Sequence, residues 1–105
     1  DTPLIDALHK LGFTVAVETN GTLPVAEGID WLCVSPKANT KLAVFAGDEL
    51  KLVFPQVGID PAQFNGMAFK HFFIQPMDGP NLAVNTRLAI EYCLNHPRWC
   101  LSVQT

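Results

Sequence analysis

Residues 13–37 read "FTVAVETNGTLPVAEGIDWLCVSPK", and the fold turns on how they are taken. The apolar runs "FTVAV" (13–17) and "DWLCV" (30–34) are short and rich in β-branched and aromatic residues, so each is expected to be a strand. The first lacks any polar alternation and is expected to be buried on both faces, as strands of a parallel sheet are. Each run stops on a small polar cluster, Glu18-Thr19-Asn20-Gly21 and Ser35-Pro36-Lys37. A plain turn needs only the Gly or the Pro. The added carboxylate, amide, hydroxyl and ammonium suit a polar ligand, while an ordinary Asn-Gly turn and a solvated lysine stand as the simpler alternative.

Working outward, "PLIDALHKL" (3–11) places Leu4, Ile5, Leu8 and Leu11 on one helical face, and Gly12 supplies the stop. "ELKLVF" (49–54) alternates more than the earlier runs and is closed by Pro55. "DPAQFNG" (60–66) opens on an Asp cap and a Pro, predicting one helical turn. "FKHFFI" (69–74) is a further strand that ends in Gln75-Pro76-Met77-Asp78-Gly79. Apolar pairs at Leu82/Ala83, Ala89/Ile90 and Cys93/Leu94 predict a helix over 81–95, which Pro97 bars from continuing. "WCLSVQT" (99–105) reads as a last strand with Trp99, Leu101 and Val103 on one side. Such strands, joined by helices or long crossovers, predict an α/β fold with mainly parallel strands, a sheet or a barrel.

In parallel α/β folds ligands bind at the carboxyl ends of the strands. The polar groups there are Glu18-Thr19-Asn20, Ser35 and Lys37, Gln56, Gln75 and Asp78, and Gln104-Thr105. Parallel strands would put them all on one rim. The histidines carry less. His71 shares a strand side with Phe73 and Gln75, which favours packing over ligation; His96 suits a helix C-terminus, and His9 lies on the polar side of the first helix.

Composition narrows the function class. Hydrophobic residues make up 49% of the 105 and charged ones 16%, too apolar a mix for a disordered chain. A net charge of −3 offers no basic stripe for phosphates, so no nucleic acid is expected as a partner. No stretch is long and apolar enough for a bilayer span, which takes about 20 residues, and no secretory leader is evident. Cys33, Cys93 and Cys100 are odd in number and lack C-x-x-C spacing, so buried, reduced thiols of a cytoplasmic protein are expected, not metal ligands. The start on Asp1 and the unfinished last strand suggest a piece of a longer protein.

The series "VETNGT", "VSPK", "GDELKLVFP", "FFIQPMDG" and "RWCLSVQT" closely resembles the C-terminal half of the 7-carboxy-7-deazaguanine synthases, a family of radical S-adenosylmethionine enzymes. The resemblance covers nearly the whole chain. E-T-N-G is shared widely among radical S-adenosylmethionine enzymes; S-P-K with Q-P-M-D-G and W-x-L-S-x-Q-T is narrower. The resemblance implies a partial, modified β/α barrel, with 1–105 as the C-terminal portion of one core domain. It implies a cytoplasmic homodimeric lyase of queuosine (7-deazapurine) biosynthesis that converts 6-carboxy-5,6,7,8-tetrahydropterin to 7-carboxy-7-deazaguanine with loss of ammonia. The implied cofactors are S-adenosylmethionine, a [4Fe-4S] cluster and Mg²⁺, with an electron donor such as flavodoxin. In the family S-P-K and Q-P-M-D border the S-adenosylmethionine site, which maps onto Ser35, Pro36 and Lys37 and onto Gln75, Pro76, Met77 and Asp78. No residue is assigned a catalytic or metal-binding role, since the three-cysteine motif and its neighbouring hydroxyl have no counterpart here. A glycyl-radical activating type of enzyme, or a non-catalytic α/β binding module, are the rival expectations.

Overall fold

The structure, a computed structural model, describes residues 2–103. The described residues form a five-stranded, all-parallel sheet with strands in sequence order, β1 (Ala16–Thr19), β2 (Trp31–Val34), β3 (Ala46–Phe54), β4 (Ala68–Pro76) and β5 (Trp99–Leu101). Helix α1 (Thr2–Lys10) precedes the sheet and α2 (Leu82–Asn95) joins β4 to β5. A 3-10 turn (Pro61–Phe64) lies between β3 and β4.

Local chemistry sets the element ends. Gly12, at φ 87°, takes the left-handed position after α1; its N–H donates to the His9 carbonyl at 2.9 Å and Phe13 N–H to the Leu8 carbonyl at 3.0 Å. These two bonds satisfy carbonyls that the helix end would otherwise orphan. The 3-10 turn has the expected Asp60 cap, with Ala62 N–H donating to the Asp60 carboxylate at 2.9 Å. The Gln63 side-chain carbonyl accepts from Asp60 N–H at 2.8 Å, which completes a capping box. At the end of α2 the His96 ring lies 2.9 Å from the Tyr92 carbonyl and stacks on the Tyr92 ring at 3.9 Å.

Helix α2 packs on one side of the sheet, against β4 and β5. There Leu32, Val34, Leu50, Leu52, Phe72, Ile74 and Trp99 form the core with Ala89 of α2 and Phe64 of the 3-10 turn. Leu50, Leu52 and Ile74 are wholly buried, each contributing about 1.5–3 kcal/mol of transfer free energy. Trp99 Nε1 donates to the Asn65 side-chain oxygen at 3.2 Å, and Arg98 lies 4.2 Å over the Phe72 ring.

Several expectations shift. β1 begins at Ala16, three residues later than the apolar run, because Phe13 still closes the end of α1 and Val15 is taken by the joint with the next strand. Val15 N–H donates to the Asp30 carboxylate at 2.6 Å, and Asp30 and Trp31 N–H groups donate to the Val15 carbonyl. Nor is β1 buried on both faces: Ala16 and Glu18 are exposed, Val17 and Thr19 half-buried, as suits an edge strand with a single packed side. On α1 only Ile5 is buried; Leu4 is exposed, and so is Leu11, just past the helix end. Within α2, Ala89 and Cys93 turn inward and Leu82, Ile90 and Leu94 stay exposed. Cys100 is exposed, contrary to expectation, since Trp99 takes the inward position on β5 and its neighbour points away. Val103 is exposed as well, and β5 ends at Leu101. Gln104 and Thr105 lie outside the described residues.

Candidate functional site

With all five strands parallel, their carboxyl ends share one rim. After β1 the polar cluster divides into two uses. Thr22 N–H and hydroxyl both donate to the Asn20 side-chain oxygen, at 3.1 and 2.9 Å, and Gly21 N–H donates to the Thr19 hydroxyl at 3.1 Å. Asn20 and Thr19 are thus spent on the turn itself. Gly21 sits at φ 76°, and a Cβ there would come within 2.6 Å of Leu42 and 2.8 Å of Val34, so glycine is required. Glu18 belongs instead to the strand.

After β2, Ser35 and Pro36 are buried and Lys37 is exposed. Ser35 N–H donates to the Thr19 carbonyl at 2.7 Å, which ties the ends of β1 and β2 together. Thr40 hydroxyl donates to the Lys37 carbonyl at 2.7 Å. The Gln56 side chain braces this loop against β3, donating to the Val53 carbonyl at 2.7 Å and accepting from Ala38 N–H at 3.4 Å. Pro36, Lys37, Asn39, Thr40 and Gln63 help line a cavity of about 290 Å³.

After β4, Gln75 is half-buried, Pro76 buried and Asp78 exposed. Met77 N–H donates to the Phe54 carbonyl at 2.8 Å, and Asn85 Nδ2 of α2 donates to the Met77 carbonyl at 3.1 Å. The turn is therefore held from both sides. Gln75, Pro76, Asp78, Leu82, Thr86 and Val103 line a second cavity of about 210 Å³. The two clusters flank β3 on one rim, and Pro36 and Lys37 line a different cavity from Gln75, Pro76 and Asp78. A ligand touching both must span one intervening strand, about 10 Å at a spacing near 4.8 Å per strand.

The side of the sheet away from α2 carries a row of polar side chains. Glu18, Cys33, Glu49 and His71 are successive cross-strand partners from β1 to β4. Lys51, two residues beyond Glu49, reaches back to Glu18 with Nζ 3.1 Å from Oε1. That hydrogen bond raises the Lys51 pKa against a smaller opposing effect of burial. Burial, with a further push from Glu49, raises the Cys33 thiol to about 12. It stays protonated at neutral pH and is neither a nucleophile nor a ready metal ligand. Trp31 stacks on His71 at 6.0 Å and His71 on Phe73 at 6.2 Å, an aromatic strip beside the charged row.

Sequence reasoning did not single out Lys51, Glu49 or Trp31. The signal was there in the alternation of "ELKLVF", where Glu49 and Lys51 interrupt an apolar strand on one side only. Among the described residues no group of three His, Cys, Asp or Glu side chains is placed to hold a metal ion, and no helix is long and apolar enough to cross a membrane.

No family model matches the chain. Among curated proteins it is 58% identical over 105 residues to the 7-carboxy-7-deazaguanine synthase of Bordetella pertussis, covering all of this chain and 50% of that protein. The proteins of the same name from Bradyrhizobium diazoefficiens and Burkholderia multivorans are 57% and 55% identical over the same length, each again covered to 50%. Over its whole length the chain belongs with the C-terminal half of this family. It spans about half the length of the curated relatives it matches, which share a name that denotes an enzyme.

Proposed function

We propose that the full-length protein is a 7-carboxy-7-deazaguanine synthase, a radical S-adenosylmethionine carbon–nitrogen lyase of queuosine (7-deazapurine) biosynthesis. Its substrate is 6-carboxy-5,6,7,8-tetrahydropterin, and ammonia is lost as the ring contracts. The observation that carries this reading is identity of 55–58% along the whole chain to proteins of that name. Residues 1–105 are the C-terminal portion of one core domain.

In this reading Ser35, Pro36, Lys37, Gln75, Pro76, Met77 and Asp78 hold S-adenosylmethionine. Their chemistry fits the molecule. Lys37, exposed on the rim, suits an amino-acid carboxylate; Asp78 suits ribose hydroxyls. Pro36 and Pro76 are buried at the strand ends, so the polar groups beside them are presented on fixed turns. Half-buried Met77 offers polarisable packing. When bound, S-adenosylmethionine supplies the carbon radical that begins the reaction. The chain's own task is to bind, orient and shield. The described residues do not fit a [4Fe-4S] cluster or Mg²⁺, since no three of their acidic, thiol and imidazole groups are placed to hold a metal ion, and no step here runs through either group.

The exposed apolar residues of α2, among them Leu88, Ile90 and Leu94, support a homodimer contact. The free cysteines are in keeping with a cytoplasmic protein that draws electrons from a donor such as flavodoxin. The test is anaerobic turnover of 6-carboxytetrahydropterin by the reconstituted full-length protein, with S-adenosylmethionine binding measured beside it. Conversion is expected, and Ser35→Ala and Gln75→Ala should each weaken S-adenosylmethionine binding about 10-fold at constant iron content. Absence of conversion by a cluster-loaded protein overturns the reading.

A further inference from the structure

The uncovered side of the sheet has a composition that packing does not explain. A parallel strand destined for a second apolar layer carries Val, Ile or Leu on both sides. β3 does so on the helix side, with Leu50 and Leu52 fully buried, yet it places Glu49 and Lys51 on the other. Lys51 is flanked by Glu18, its partner at 3.1 Å, and by Glu49 on its own strand. Of the two lysines in the strands, Lys70 pairs with Asp48 at 3.3 Å beside a different register position, which leaves Lys51 as the cation of this row. Its ammonium has three donors, and the contact to Glu18 uses one. The side chain is 24% exposed, so it can be reached from the open side. Beside it the Trp31–His71–Phe73 strip offers flat ring surface, with Trp31 41% exposed.

A surface that sets an ammonium between two carboxylates, next to stacked rings, complements a flat ligand of matching polarity. A heterocycle's amino and ring N–H donors can meet carboxylates, its own carboxylate can meet the ammonium, and its face can stack on the rings. We infer that this uncovered face is the substrate-side wall of the site, and that Lys51 is the residue that selects a carboxylated amino-heterocycle over one without the carboxylate. The inference rests on the synthase reading and deepens it by assigning a residue to the substrate's carboxylate.

The test measures equilibrium binding of 6-carboxypterin and of unsubstituted pterin to the full-length holoprotein by calorimetry, for wild type, Lys51→Met and Lys51→Arg. Loss of one charge-assisted contact should raise the Kd of Lys51→Met for 6-carboxypterin about 10- to 100-fold. Its Kd for pterin should change less than about 3-fold, and Lys51→Arg should keep most of the preference for the carboxylated ligand, as a retained cation allows. An equal loss for both ligands makes Lys51 a structural residue and overturns the inference. So does an unchanged Kd for 6-carboxypterin, and in that case the synthase reading survives. A wild-type protein that binds neither ligand overturns both.

Discussion

The two faces of one sheet obey different rules. On the helix side, Leu50, Leu52 and Ile74 are fully buried beside Phe72 and Trp99, and volume and shape decide which residues are tolerated. On the other side, the same strands present Glu18, Cys33, Glu49, Lys51 and His71. Two strand residues in succession thus answer to different demands, because successive side chains point to opposite faces. In a parallel sheet, function belongs on the face where charge appears without a packing reason.

The sharpest way to break this contrast is truncation. Ile74→Ala on the packed face should destabilise the full-length protein by about 2–5 kcal/mol in denaturant unfolding. Lys51→Met on the open face should cost no more than about 1 kcal/mol, given the usual worth of a partly exposed ion pair. Equal losses at the two positions would erase the distinction.

Gly21→Ala should follow in size, costing about 1–3 kcal/mol through its positive φ alone, with the close approach of Leu42 and Val34 adding to it. Thermal unfolding of the variant checks this. A loss near zero would mean that the turn after β1 relaxes freely.

A smaller effect separates the edge of the sheet from its centre by pH. Asp30 is held below the usual carboxylate range by the Val15 N–H and then by His9, and Asp48 chiefly by the Leu32 N–H. A carboxylate whose folded pKa is depressed stabilises above its unfolded value, near 3.8, and that stability is lost as pH falls through the lower folded value. Asp30→Asn should therefore flatten part of the fall in Tm below about pH 4, leaving the share that belongs to Asp48. A Tm profile with an unaltered acid limb would remove Asp30 from that role.

The smallest effect is chemical. Cys33, buried and raised to about 12, should react with iodoacetamide far more slowly at pH 8 than exposed Cys100. Mass-spectrometric mapping of alkylated peptides reads the order directly. Modification of Cys33 first would show that the open face admits solvent to the strand floor.

Much of the sheet was legible from short-range pattern. The runs around Leu32, Leu50 and Phe72 and the stop signals at Gly12, Pro55 and Pro97 placed the elements to within a few residues. The Asp60-Pro61 cap was legible because it is a local hydrogen-bonding device. The bounds of β1 were not, since they depend on Asp30, fifteen residues downstream of Val15, bonding to that residue's N–H. Asn20 and Ser35 looked alike as polar ends of strands. Only the side-chain bonds from Thr22 marked Asn20 as turn chemistry.

By itself, the sequence determined the strand and helix order, the polar clusters after the strands and the kinship with the C-terminal half of one enzyme family. These follow from periodicity, turn residues and motif identity, all of which are written locally along the chain. The tertiary structure alone decided that Pro36 and Lys37 border one cavity and Gln75, Pro76 and Asp78 another, on a shared rim. It alone brought Lys51 to Glu18 across β2 and stacked Trp31 on His71. Those pairings depend on the register between strands, which is set by how the packed face closes over its core.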